Sequence, residues 1–132
     1  MSNKISLQYV AGFIDGEGCF QYETTAKIHV KNTYKPILNM LKRKFGGKVA
    51  PSSYRGQPAN WRPGYRWVIC GESTVKVIQS VLKYLVEKKP QAKLVIKINA
   101  LKSHRFRPLS EDNKIKKAEF IKELKRLKHL SS

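Results

Sequence analysis

Two carboxylates in this chain stand where a carboxylate is costly. The segment YVAGFIDGEGCF, residues 9–20, is apolar and rich in small residues, yet it holds Asp15 and Glu17. A charge placed among apolar groups needs a partner. The other acids, Glu23, Glu72, Glu87, Glu111, Asp112, Glu119 and Glu123, lie in polar stretches where neighbouring Lys or Arg offset them. Suppose that a second copy of the segment packs on the first about a two-fold axis, the usual symmetry of homo-oligomers. Val10, Ala11, Gly12, Phe13 and Ile14 would then form the interface, and the two Glu17 carboxylates would emerge side by side. Like charges so placed repel. A divalent cation removes the conflict, and oxygen ligands with water are what Mg²⁺ prefers. One segment would hold both a subunit interface and a metal site. The plainer alternative is that Glu17 caps a turn or makes an ion pair.

The remaining reactive side chains suggest no separate centre. His29, His104 and His129 are far apart in sequence, so no histidine pair is implied. Cys19 and Cys70 lack metal-ligand spacing. They read as free intracellular thiols, with a disulfide as the alternative.

These residues need elements to position them. Ser6 suits a helix cap, with a helix from about Leu7 to Asp15 that Gly16 and Gly18 then break. Residues 19–23 and 26–31 alternate as two short strands. Phe20, Tyr22, Ala26, Ile28 and Val30 share one face; Gln21, Glu23, Lys27, His29 and Lys31 share the other. A second helix follows, capped at Thr33, with Ile37, Leu38, Leu41 and Phe45 as its stripe and Gly46 as its stop. KVAPSSY and YRWVICG form a second strand pair around the loop RGQPANWRPG. ESTVKVIQSVLKYLVEKK is a third helix, and Pro90 opens a fourth. A last helix runs from about Lys114 to Leu130, with Ile115, Ala118, Ile121 and Leu124 on its apolar side. The order is α-ββ-α-ββ-α-α-α. That is an α+β domain with an antiparallel four-stranded sheet and helices on one face. Its other face is polar, basic and open, which suits a nucleic-acid groove.

Composition agrees. The chain has 132 residues, fit for one domain, and is 41% apolar, enough for a core. It carries 27 Lys and Arg against 9 Asp and Glu, a net charge of +18. Such a field draws polyanions, and nucleic acid is the partner it indicates. The cations are spread along the chain rather than gathered on one amphipathic helix, which disfavours a membrane surface. No apolar run is long enough to span a membrane, and the N-terminus lacks a secretory signal, so an intracellular setting is expected.

VAGFIDGEG, residues 10–18, resembles the signature of the LAGLIDADG homing endonucleases. The element order is similar to a single-motif subunit of that family. YLVEKKPQAKLVI, residues 84–96, resembles the segment that follows its third helix. The likeness covers about residues 6–102 and leaves the basic C-terminal extension, about 103–132, unmatched. It implies a homodimer that binds a palindromic or near-palindromic DNA site and cuts both strands with divalent metal, Mg²⁺ or a similar ion. By position it implies Glu17 as the metal-binding acid, Gly16 as a backbone-carbonyl ligand, and Asp15 as a structural acid at the helix end. Lys88 matches a basic group near the scissile phosphate. Asn32 matches a polar residue that positions water; capping the next helix is its alternative. Arg55, Arg62 and Arg66 are expected to meet phosphates or base edges. Trp61, Tyr65 and Trp67 read as packing residues rather than base-stacking platforms.

The chain departs from this pattern in its first hairpin. Only 13 residues lie between Gly18 and Asn32, and Thr24 and Thr25 make the turn. A short hairpin leaves fewer base contacts and shifts specificity toward the loop YRGQPANWRPGYR. It also keeps a second reading open: a non-catalytic DNA- or RNA-binding protein on the same scaffold, as in RNA-splicing maturases. The basic residues of the last helix suit either reading.

Overall fold

A computed structural model describes residues 5–22, 24–52, 64–101 and 109–130. The elements run in the expected order. They are α1 (Leu7–Glu17), β1 (Gly18–Tyr22), β2 (Ala26–Asn32), α2 (Lys35–Phe45), β3 (Lys48–Pro51), β4 (Tyr65–Cys70), α3 (Glu72–Val81), a 3₁₀ turn (Leu82–Tyr84), α4 (Lys89–Ala100) and α5 (Glu111–Leu130). The expected sites Glu23, Arg55 and Arg62, and Trp61 with most of its loop, lie outside the described residues.

The four strands form one antiparallel sheet in the order β1-β2-β4-β3. The period-two pattern decides its two faces. Phe20, Tyr22, Ala26, Ile28, Val30, Trp67 and Ile69 are buried against the helices. Cys19, Gln21, Lys27 and His29 alternate with them and are only half-buried, and Lys31, Arg66 and Cys70 are exposed. The expected face assignment therefore holds for the described residues.

The Ser6 hydroxyl accepts from Tyr9 N at 3.0 Å, so α1 begins at the expected cap. It ends later than expected. Gly16 continues the helix, and Gly18 stops it by donating its N–H to Ile14 O. A Cβ on Gly18 would stand 2.8 Å from Ile14 O, so only glycine allows this direct passage from helix to strand. Gly47, at φ +87°, makes the other tight approach: a Cβ there would lie 2.5 Å from Val68 O. Beside it, Trp67 Nε1 donates to Gly46 O at 2.8 Å and ties the end of α2 to β4.

Besides the end of α1, the third helix is shorter than expected, since α3 stops at Val81 rather than running through Lys89, and three further expectations need correction. Thr33 does not cap α2. Asn32 Oδ1 instead accepts from Tyr34 N at 2.8 Å, because an Asx turn holds the strand-to-helix passage without it. In α5, Ile115 is 56% exposed. Phe120, Ile121, Leu124 and Leu127 pack on the core instead, so the buried stripe lies nearer the C-terminus than the pattern implied. The third correction concerns α1. Val10, Ala11 and Ile14 are completely buried in the chain's own core. Of the five residues expected at a subunit interface, only Gly12 and Phe13 remain on the outer face, where Gln8 and Tyr9 join them.

Candidate nucleic-acid interface and acidic site

α1 and β1 place Glu17 at the lip of the open sheet face. The helix ends at Glu17 and the strand starts one residue later, opposite Val30. The acid therefore sits at the end of β2 that carries Lys31 and Asn32. A cleft of about 380 Å³ opens there, lined by Glu17, Lys31, Asn32, Thr33, Ser52, Gly64 and Tyr65. Glu17 and Asn32 are thus brought together across 15 residues of sequence, as expected of a joint site. Ser52, Thr33 and Tyr65 were not foreseen as site residues. Only the β3–β4 pairing, Pro51 opposite Tyr65, carries Ser52 and Tyr65 to this place.

Asp15 has a different position. Its two carboxylate oxygens accept from the backbone N–H groups of Val86, at 2.8 Å, and Lys88, at 2.9 Å. Lys88 is the cap residue of α4 and lacks a side-chain cap of its own. Asp15 supplies that role from across the fold. In return the Lys88 ammonium donates to the main-chain oxygen of Asp15, one of the carbonyls that the end of α1 leaves without a helical partner. Lys88 therefore lies two residues from Glu17 along α1, although it does not line the cleft. Gly16 is exposed, with nothing within 4 Å of where its Cβ would be.

The open sheet face leads away from this acidic lip in three rows. Lys31 and Arg66 are opposed nearest to it, with Ala50 beyond. His29 follows, between Cys19 and Val68, with Lys48 on the far strand. Lys27 comes last, between Gln21 and Cys70. Lys48 was not expected here; its strand was seen, but its facing depends on the pairing with β4. Both cysteines are free.

His29 is the titratable centre of this face. Burial lowers its pKa below the ordinary 6.5, and Lys31, Lys128, Lys27 and Arg66 push it the same way. A group depressed in the folded state contributes stability that is complete above its unfolded value and is lost as pH falls through its folded value. The denaturation midpoint should therefore fall as pH drops from about 7 to about 5, and less steeply in His29→Gln. Equal slopes in the two proteins would remove His29 as the cause.

Among the described residues no three His, Cys, Asp or Glu side chains cluster as a metal site. Among the described residues the lip offers one acidic group, Glu17, at the end of α1 beside the Gly16 backbone. This is a hard oxygen donor set of the type Mg²⁺ takes, and it is too small to hold the ion alone. It fits if a second Glu17 and substrate phosphates complete it. No helix of the described residues is long and apolar enough to cross a membrane.

No family model and no curated protein sequence matches the chain. Solved structures do. The homing endonuclease I-CvuI, in complex with its target, aligns over 92% of this chain and 80% of its own, with a TM-score of 0.69 and 20% identity. The archaeal intron-encoded homing endonuclease I-Vdi141I, complexed with DNA, aligns over 92% of this chain and 82% of its own, with a TM-score of 0.69 and 16% identity. The LAGLIDADG homing endonuclease I-GzeII, in complex with its DNA target, aligns over 92% of this chain but 44% of its own, with a TM-score of 0.62 and 21% identity.

Proposed function

We propose that this chain, which has the fold of the LAGLIDADG homing endonucleases, is a homodimeric, metal-dependent endonuclease that cuts double-stranded DNA at a palindromic or near-palindromic site. One observation carries the reading. An exposed acid, Glu17, ends a helix whose outer face is largely apolar, with Gly12 between Tyr9 and Phe13, and it opens onto a sheet face lined with cations.

The outer face of α1, with Gly12 between Tyr9 and Phe13, lets a second backbone approach closely and brings two Glu17 carboxylates together. Divalent ions bound there would supply an activated water and neutralise charge on the leaving oxygen. Glu17 is the residue that would hold them, with the Gly16 carbonyl beside it. The Lys88 ammonium stands ready to meet negative charge growing on the scissile phosphate. Asn32, its side-chain oxygen held by Tyr34 N, retains an amide N–H₂ that can orient water in the cleft. Lys27, Lys31, Lys48 and Arg66 offer contacts to the duplex on one side of the cut, and Gln21 and His29 offer hydrogen bonds to base edges.

The test is a pool of randomised palindromic duplexes incubated with the protein in Mg²⁺ and in Ca²⁺. Cleavage of a defined subset in Mg²⁺ is the expected result. Tight binding with no cleavage in any divalent ion would overturn catalysis and favour the second reading, a DNA- or RNA-binding protein on the same scaffold. The observation behind that alternative is the short β1–β2 hairpin, whose strands span only 5 and 7 residues.

A further inference from the structure

We propose that the C-terminal helix α5 is part of the DNA-binding surface, and that Lys125 and Lys128 extend the groove past its edge strand to hold the duplex backbone. The proposal rests on duplex DNA being the ligand of the sheet face.

β1 is an edge strand, so the cationic face would stop at Gln21 if the sheet stood alone. It does not stop there. α5 packs on the core through Leu124, and Lys117 lies 5.4 Å from the centre of the Tyr22 ring, at the end of β1. This docking sets the rotation of the helix. Residues 121, 125 and 128 follow the i, i+4, i+7 spacing that lies along one flank. That flank turns toward β1: Gln21, Tyr22, Ile121, Leu124, Lys125 and Lys128 line a shared groove. Gln21 belongs to the open face, so the two lysines border that face directly. Lys128 also lies close enough to add to the field at His29, one strand further in.

Lys117 lies on the same flank, over the Tyr22 ring; the remaining lysines and arginine of α5 are placed otherwise. Arg126 is bonded to Glu123, and Lys114 to Glu111. Lys116 and Lys122 are exposed and do not line the groove that Lys125 and Lys128 border. The helix therefore has one flank that meets the groove rather than a uniformly basic surface. Phosphates are the groups on a duplex that such a flank would meet, since lysine binds phosphate as a point charge.

The test compares Lys125→Gln/Lys128→Gln with Lys116→Gln/Lys122→Gln, two variants of equal charge. Binding to a mixed-sequence duplex is measured across a salt series. Each lost phosphate contact lowers the slope of log K against log salt by about 0.9. In a homodimer the groove pair removes four contacts and should lose about 3.6 of slope, the outer pair almost none. The single variant Lys125→Gln, with a loss of about 1.8 per dimer, serves if the double variant folds poorly. In DNA-free protein, Lys128→Gln should raise the His29 titration midpoint measured by NMR, which reads the geometry independently. Equal slope changes in the two pairs, or none in either, would overturn the proposal while leaving duplex binding intact. Failure of the parent protein to bind duplex DNA would overturn this proposal and the functional reading together.

Discussion

Glu17→Gln abolishes strand cleavage and spares DNA binding: this is the largest effect expected of any single change. The substitution keeps the size and hydrogen-bonding reach of the side chain but removes its charge. Glu17 is exposed, and no ion pair or hydrogen bond of its side chain is seen among the described residues, so its loss leaves no buried group unsatisfied. Folding should be unchanged within about 0.5 kcal/mol, as for surface substitutions generally. The chemistry is another matter. The amide is a poor ligand for Mg²⁺, and the proposed dimer would lose both carboxylates at once. The rate should fall by about a thousandfold or more, the scale set by losing a main electrostatic element of a hydrolytic site. Binding and single-turnover cleavage measured side by side separate the outcomes. Undiminished cutting would remove Glu17 from the metal site and return it to a turn-capping role.

The second large effect is on stability. Asp15→Asn should cost about 1–3 kcal/mol, the range for leaving a polar backbone group without its charged partner. The carboxylate uses both oxygens, one for each of two N–H groups 71 and 73 residues away. An amide has one oxygen, so at least one N–H would face another donor. The affected groups lie in the turn that carries Lys88, so cutting should also slow, while Lys88→Met slows cutting with a smaller stability loss, since it gives up only the bond to the Asp15 carbonyl. Chemical denaturation of the two variants distinguishes them. A midpoint for Asp15→Asn that coincides with the parent would show that the clamp is dispensable.

The contrast between these two acids shows what the sequence could and could not disclose. Both were legible as anomalies in an apolar segment. Their division of labour was not, because the partners of Asp15 are remote and no local pattern points to them. Strand faces were readable because alternation has a period of two and the sheet is buried on one side only. The orientation of α1 was unreadable for the opposite reason. Val10, Ala11, Phe13 and Ile14 are apolar all round, so nothing in their spacing says which side meets the chain's own core. Asn32 shows a third limit: one amide sits both in an Asx turn and on the cleft wall, and neither position rules out the other. In α5, Ile115 and Ile121 are six residues apart and so lie about a third of a turn from each other around the helix, and only the second falls where α4 and β1 give it cover.

The length of the sheet has a consequence for the cell that carries this protein. Seven residues of β2, at about 3.3 Å each, span roughly 23 Å, which on the proposed function would cover about seven base pairs per half-site. Each base pair left unread multiplies the number of chance targets in a genome by about four, and each imperfect match costs only about 1–3 kcal/mol. A nuclease with so short a reading surface would leave more unintended breaks to repair. A host would tolerate it at low abundance, with slow turnover, or where the genome it meets is small.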